Sequence, residues 1–254
     1  MKQRILTALG ITAVVLPTFL YGGLPFQLVV FFFILTSLYE MYAVKKDKWP
    51  IWLYLMMVVL IIVFALLDLN TLYIGMIILL MTLFIITISF DWFTPFDLSY
   101  IYTMMILLTT ALRAVFVAVS YGRIELLFIL IATYATDTGA YFSGYFFGKN
   151  KLNERISPKK TIEGSIGGWL FGFLIGLAYA YFFVERLPFE FMVLCSAVIP
   201  IVSQIGDLAF SSIKRYFNIK DFGTIFPAHG GVLDRIDSLL FSLMAFYILV
   251  GIML

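Results

Sequence analysis

Apolar residues fall into nine long runs along this chain, separated by short stretches where lysine, arginine, aspartate, glycine and proline gather. The first run follows Met1-Lys2-Gln3-Arg4 and reaches about Tyr21. The others cover about 26–44, 51–67, 71–90, 98–120, 124–147, 163–184, 189–210 and 236–254. Each approaches the roughly 20 residues that an α-helix needs to cross a bilayer. The pattern predicts an all-α fold, a polytopic integral membrane bundle of about nine transmembrane helices. The first run has the charge layout of a secretory signal, but it is long and ends in Gly22-Gly23-Leu24-Pro25 without a small-x-small cleavage site, so we read it as a retained span.

Composition points the same way. Hydrophobic residues make up 63% of 254 positions and charged ones 13%, with a mean hydropathy of +1.04, which is more apolar surface than a soluble domain can hide. The net charge of +2 is small and the cations cluster at run ends, so nucleic acid is not an expected partner. The single Cys195 lies inside an apolar run and has no second thiol to join, so it is read as an inert packing residue.

Orientation follows from the cations. With the N-terminus inside, the inner segments collect Lys2, Arg4, Lys45, Lys46, Lys48, Lys149, Lys151, Arg155, Lys159, Lys160, Lys214, Arg215, Lys220 and Arg235. Only Arg113, Arg123 and Arg186 fall on or near the outer side, which predicts N-in, C-out. Asp91 and Asp97 share an inner loop that has no cation of its own. The first five spans are rich in Leu, Ile, Phe, Met and Tyr, with Trp49, Trp52 and Trp92 near the expected interfaces, so residues 1–120 are assigned to packing and anchoring. Arg113, inside an apolar run, is expected to snorkel outward or to pair internally.

Polar residues become frequent in residues 121–254, which are therefore expected to carry the site. Asp137 lies near the middle of its run among Thr133, Thr136, Thr138 and Ser143, and an ionisable group at that depth should face protein or water. The next inner loop places Lys159 and Lys160 just before a helix start marked by Thr161 or by Ser157-Pro158. Cations are disfavoured at that end of a helix, and a bound anion would remove the conflict. Gly168, Gly172 and Gly176 form a stripe suited to close helix packing. Asp207 sits at the membrane edge, one turn before Ser211 and two turns before Lys214 on the same helix face.

The densest polar stretch runs from Ser211 to Asp237, SSIKRYFNIKDFGTIFPAHGGVLDRID. Asp234 and Asp237, three residues apart, share a helix face with Cβ atoms roughly 5–6 Å apart, a spacing that can hold a divalent cation. Lys214, Arg215, Lys220 and Arg235 surround them, which suits a metal-bound polyphosphate better than a metal alone. His229-Gly230-Gly231 can turn tightly and expose backbone N–H groups to phosphate oxygens.

Those residues carry a family resemblance. Ser211-x-Ile213-Lys214-Arg215, Lys220-Asp221-x-Gly223 and Phe226-Pro227-x-His229-Gly230-Gly231-Val232-x-Asp234-Arg235-Ile236-Asp237 together resemble the signature of the phosphatidate cytidylyltransferases, or CDP-diacylglycerol synthases. The likeness extends upstream to Gly206-Asp207-Leu208 and to Ser157-Pro158-Lys159-Lys160-Thr161-x-Glu163-Gly164, so it covers roughly the C-terminal half. The chain departs from the pattern at Ile162, Phe210 and Ala228, where an aromatic, a polar residue and glycine are more usual.

The resemblance implies transfer of a cytidylyl group from CTP to phosphatidate, giving CDP-diacylglycerol and pyrophosphate, in phospholipid biosynthesis. A phosphate monoester with its second pKa near 6 is largely dianionic at neutral pH, so it needs no strong base to attack. On this reading Asp207, Asp234 and Asp237 hold Mg2+ in one or two metal sites, with Asp137 as a further ligand or as the group that orients one. Lys214, Arg215, Lys220 and Arg235 bind phosphates, Lys159 and Lys160 complete the ring, Ser211 supports it, and His229 shapes the loop with Gly230 and Gly231. The partners implied are the two substrates and the lipid bilayer, in the cell membrane with the site on the cytoplasmic side. A homodimer is expected from the family, and the glycine stripe is compatible with it as equally with intramolecular packing. The competing readings are a cation-coupled transporter using Asp137 and Asp207 as an ion path, a CDP-alcohol phosphatidyltransferase and a purely structural membrane protein. One-sided polarity, the missing multi-aspartate Asp-Gly pattern and the number of charges beside the bilayer argue against these in turn.

Overall fold

The computed structural model describes residues 2–226 and 230–254. His229, with Pro227 and Ala228, lies outside the described residues. Among the described residues nine α-helices follow one another: α1 (Lys2–Tyr21), α2 (Gly23–Ala43), α3 (Ile51–Leu66), α4 (Leu69–Ser89), α5 (Pro95–Tyr121), α6 (Arg123–Phe147), α7 (Ile162–Phe183), α8 (Phe189–Tyr216) and α9 (Leu233–Met253). Their ends fall within three residues of the expected spans, except that α8 runs on to Tyr216 instead of stopping at 210. Among the described residues seven helices, α2 and α4 to α9, are long and apolar enough to cross a membrane. The chain is thus a multi-pass helical membrane protein. Large side chains such as Leu66, Ile88 and Phe182 lie exposed on its surface, as lipid-facing residues must.

The all-α expectation needs one correction. Between α6 and α7 the chain forms a small antiparallel ribbon, β1 (Lys151–Asn153) paired with β2 (Ser157–Thr161). Asn153 accepts a hydrogen bond from the amide of Ile156 at 3.1 Å and so closes the turn. Ser157-Pro158 is therefore strand and not a helix start. Thr161 is the helix N-cap, its hydroxyl accepting from the amide of Gly164 at 3.1 Å. Glu163, two residues on, accepts from the amides of Lys149 and Asn150 and from the Asn150 side chain, which ties the entry of the ribbon to the start of α7.

The chain divides into two compact units, residues 1–113 with 222–233 and residues 114–221 with 234–254. In the first, Leu38, Met41, Leu53, Met57, Ile61, Leu83, Ile101, Met105 and Leu108 are fully buried. Several of its charges are tied to structure. Arg113 pairs internally, donating to the carbonyls of Leu67 at 2.6 Å and Phe64 at 3.3 Å, acceptors that α3 leaves without partners at its end. Thr94, Pro95 and Asp97 build a capping box at the start of α5: Asp97 accepts from the amide and hydroxyl of Thr94 at 2.9 and 2.7 Å, and Thr94 accepts from the amide of Asp97. Lys45, from the connection between α2 and α3, pairs with Asp97, so that acid does have a cation, supplied by a different loop. Trp49 is not an interface anchor: it is buried against Tyr42 and Tyr100, with ring centroids 6.2 and 6.1 Å away.

In the second unit α6 to α9 alternate in direction. Gly168, Gly172 and Gly176 of α7 face Ala140, Thr136 and Ala132 of α6, where an added Cβ would come within 2.7, 2.0 and 3.1 Å of a side-chain atom. The glycine stripe is therefore consumed inside the chain. Trp169 donates to the Ala197 carbonyl and Ser165 to Gln204, joining α7 to α8. Thr133 and Ser242 join α6 to α9 at 2.7 Å. With neighbouring helices antiparallel, the α6–α7 and α8–α9 connections emerge at the same end.

Candidate active site

α8 and α9 come close together at Gly206. A Cβ there would lie 2.8 Å from Cβ of Phe241 and 2.9 Å from the carbonyl oxygen of Asp237, so only glycine lets the two backbones meet. The next residue, Asp207, is thereby set beside the first turns of α9. Its carboxylate pairs with Lys160 of β2 and takes a long contact from Ser211 at 3.4 Å, one turn further along α8.

Another turn on, Lys214 donates to Asp234 at 2.7 Å. The side chains of this pair are 11% and 2% exposed, so it is a buried ion pair, unlike the half-open Lys160–Asp207 pair. The extension of α8 past 210 makes this contact: the last turns bury Ser211 and Lys214 on one side and leave Arg215 and Tyr216 exposed on the other. Asp237 is buried and accepts from the amide of Ser238 at 2.8 Å. The Ser238 hydroxyl lies 3.3 Å from Asp237 and 3.5 Å from Asp137 on α6, bridging the two acids. Asp207 is near enough to repel both Asp137 and Asp237, while Lys160 attracts the first and Lys214 the second.

Asp137, Lys160, Asp207, Ser211, Lys214, Asp234 and Asp237 are thus brought together from α6, β2, α8 and α9. Ser238 joins them unannounced by the sequence. The only clue to Ser238 is that it follows Asp237 directly.

Other expected residues lie elsewhere. Lys159 and Lys220 are exposed. Arg215 turns to the carbonyls of Ile156 at 3.3 Å and Ile219 at 3.4 Å, bracing the ribbon turn and the end of α8. Arg235 is exposed on α9. Gly230 and Gly231 belong to the first unit, where Gly230 adopts φ 86° and exchanges two backbone hydrogen bonds with Phe226, a conformation that explains glycine there. His229 lies outside the described residues.

Four carboxylates meet two lysines in this cluster, a surplus of negative charge made of hard oxygen donors, which is the donor chemistry that Mg2+ takes. As the side chains stand, no three acids among the described residues converge at metal-ligand spacing. The arrangement therefore fits a magnesium ion in chemistry, with the lysines holding Asp207 and Asp234 where an ion would compete for them.

The profile of the cytidylyltransferase family matches residues 2–253. The chain is 29% identical to the phosphatidate cytidylyltransferase of Bacillus subtilis over 284 aligned positions, which cover 99% of this chain and 98% of the relative. It is 33% identical to that of Staphylococcus epidermidis over 250 positions, 96% of each chain. Against the Staphylococcus aureus protein the identity is 42% over 124 positions, about half of each chain. The family match takes in both compact units and every member of the aspartate–lysine cluster: the chain belongs to the cytidylyltransferase family.

Proposed function

We propose that this protein is a phosphatidate cytidylyltransferase, joining CTP and phosphatidate to give CDP-diacylglycerol and pyrophosphate for phospholipid synthesis. The observation that carries the reading is the cluster of Asp137, Asp207, Asp234 and Asp237 with Lys160 and Lys214, within a chain matched along its length by that family. The phosphate of phosphatidate, already dianionic, attacks the α-phosphorus of CTP and expels pyrophosphate. The obstacle is repulsion between two polyanions. Lys160 and Lys214, held by Asp207 and Asp234, are the cations placed to reduce it, with Arg235, Arg215, Lys220 and Lys159 as outer contacts. Asp207, Asp234 and Asp237 would hold Mg2+ in one or two sites, with Asp137 behind them. When bound, the ion supplies charge neutralisation and alignment of attacking and leaving oxygens.

On this proposal all nine helices cross the cell membrane, N-in and C-out, with the site on the cytoplasmic side where CTP is found. The common end of the α6–α7 and α8–α9 connections supports it, since that end carries most of the cations. So does the Lys45–Asp97 pair, which joins the α2–α3 and α4–α5 connections. Residues 1–120 then anchor and 121–254 carry the chemistry. A homodimer is proposed on the family resemblance alone, since the glycine stripe is spent on packing within the chain. The test is pyrophosphate release by the purified chain in mixed micelles containing phosphatidate, with CTP and Mg2+ and with each other nucleoside triphosphate in turn. Turnover confined to CTP and phosphatidate is expected. Consumption of CDP-diacylglycerol without CTP would overturn the assignment.

A further inference from the structure

Glu40 lies near the end of α2, in a run otherwise built for packing, and is only 1% exposed. A carboxylate in such a place is costly unless its oxygens are fully engaged. Here both are. One accepts from the amide of Val232 and the other from the amide of Leu233, each at 2.8 Å. These amides open α9, where the first turn has no carbonyls of its own to meet and where negative charge is favoured by the helix dipole. Glu40 thus does for α9, from 192 residues away, what an N-cap side chain does locally.

The surrounding chain is shaped to admit it. A Cβ on Gly223 would come within 2.3 Å of Oε1 of Glu40, and one on Gly231 within 2.4 Å of Oε1 and 2.5 Å of Oε2. Two glycines of the polar stretch therefore make room for this one carboxylate, which gives them a reason apart from phosphate contact. The residue after Leu233 is Asp234, and Asp237 stands one turn further on.

We infer that Glu40 is a positioning residue of the active site: by gripping the two amides that begin α9, it sets where Asp234 and Asp237 stand. The inference rests on the proposed function for its catalytic meaning, while the grip itself has a separate readout. Glu40→Gln keeps the size but offers one acceptor for two amides and turns an NH2 group toward the other.

The experiment uses the full chain in detergent micelles. Hydrogen exchange by mass spectrometry is expected to show faster exchange in peptides spanning 230–236 of Glu40→Gln, with the body of α2 unchanged. Turnover of CTP and phosphatidate should fall roughly tenfold or more, as happens when a group orienting ligand-bearing residues is lost. If Glu40→Ala does not fold, Glu40→Gln and Glu40→Asp carry the test. Gly223→Ala should slow the wild-type enzyme but add little in the Glu40→Asp background, where the shorter side chain leaves space for the methyl group. Unchanged exchange across 230–236 would overturn the inference, as would additive costs of Gly223→Ala and Glu40→Asp. A wild-type protein that turns over neither substrate would sink the proposed function and leave the exchange result standing.

Discussion

The two compact units treat buried charge in opposite ways. In the first, Glu40 ends on the amides of Val232 and Leu233, Arg113 on the carbonyls of Phe64 and Leu67, and Asp97 in a cap with Thr94, where Lys45 pairs with it. In the second, Asp137, Asp207, Asp234 and Asp237 meet lysines, a serine and one another, and several of these charges repel. A charge satisfied by helix ends makes the fold. Charges satisfied mainly by other side chains, with a surplus of one sign, are poised for something that arrives later.

That contrast is most easily broken at Asp237. Asp237→Asn removes a charge that Asp207 and Asp137 repel while keeping the shape, so the folded protein should melt in detergent at the same temperature or higher. Turnover should drop by roughly 10²–10³-fold or more, the scale of losing one fixed electrostatic group at a reacting centre. A variant that keeps wild-type turnover would remove Asp237 from the machinery. Gly206→Ala comes next. Its methyl group would press on Phe241 and on the Asp237 carbonyl, so α9 must shift and kcat should fall roughly tenfold or more, since small misplacements at a reacting centre are expensive. An unchanged kcat would show that the close approach at Gly206 serves packing alone.

Much of this architecture could be read before any coordinates, and the reasons differ by element. The helices were legible because a bilayer imposes length and apolarity on each run. The end of α8 was not: beyond Phe210 the run turns polar, yet helix formation continues because Ser211 and Lys214 have a buried side to face. The ribbon was hidden because Ser157-Pro158-Lys159-Lys160-Thr161 resembles a helix entry, and only pairing with Lys151–Asn153 makes it a strand. The four aspartates stood out as charges in apolar surroundings, but which of them touch is settled by contacts such as that of Ser238 with Asp137, 101 residues away. Glu40 left no trace, since one acid near the end of an apolar run looks like an ordinary interface residue.

Arg113 tests the other half of the comparison. Arg113→Met keeps the apolar stem and deletes the donor to two carbonyls at the end of α3, at a cost of about 1–3 kcal/mol for acceptors left unsatisfied. The melting midpoint should fall while turnover per folded molecule stays at the wild-type level. This is the reverse of the Asp237→Asn result. A loss of turnover without loss of stability would mean that this arginine, too, serves the chemistry.

The smallest effects sharpen the comparison within a single strand. Lys159 and Lys160 are adjacent in β2, so their side chains leave opposite faces of the ribbon. Lys160 reaches Asp207, whereas Lys159 is exposed. Because the Lys160–Asp207 pair is itself partly open to solvent, Lys160→Ala should leave the melting midpoint nearly unchanged. Its loss should appear in kcat, by roughly tenfold, as a cation removed from the phosphates. Lys159→Ala, removing an exposed charge that acts through solvent, should change kcat/KM by no more than about fivefold, and that change should shrink as salt is raised. Equal effects of the two substitutions would mean that substrate draws the ribbon into a different arrangement, with both lysines on the phosphates. A difference between them that persists at high salt would place the working face of β2 on the side of Asp207.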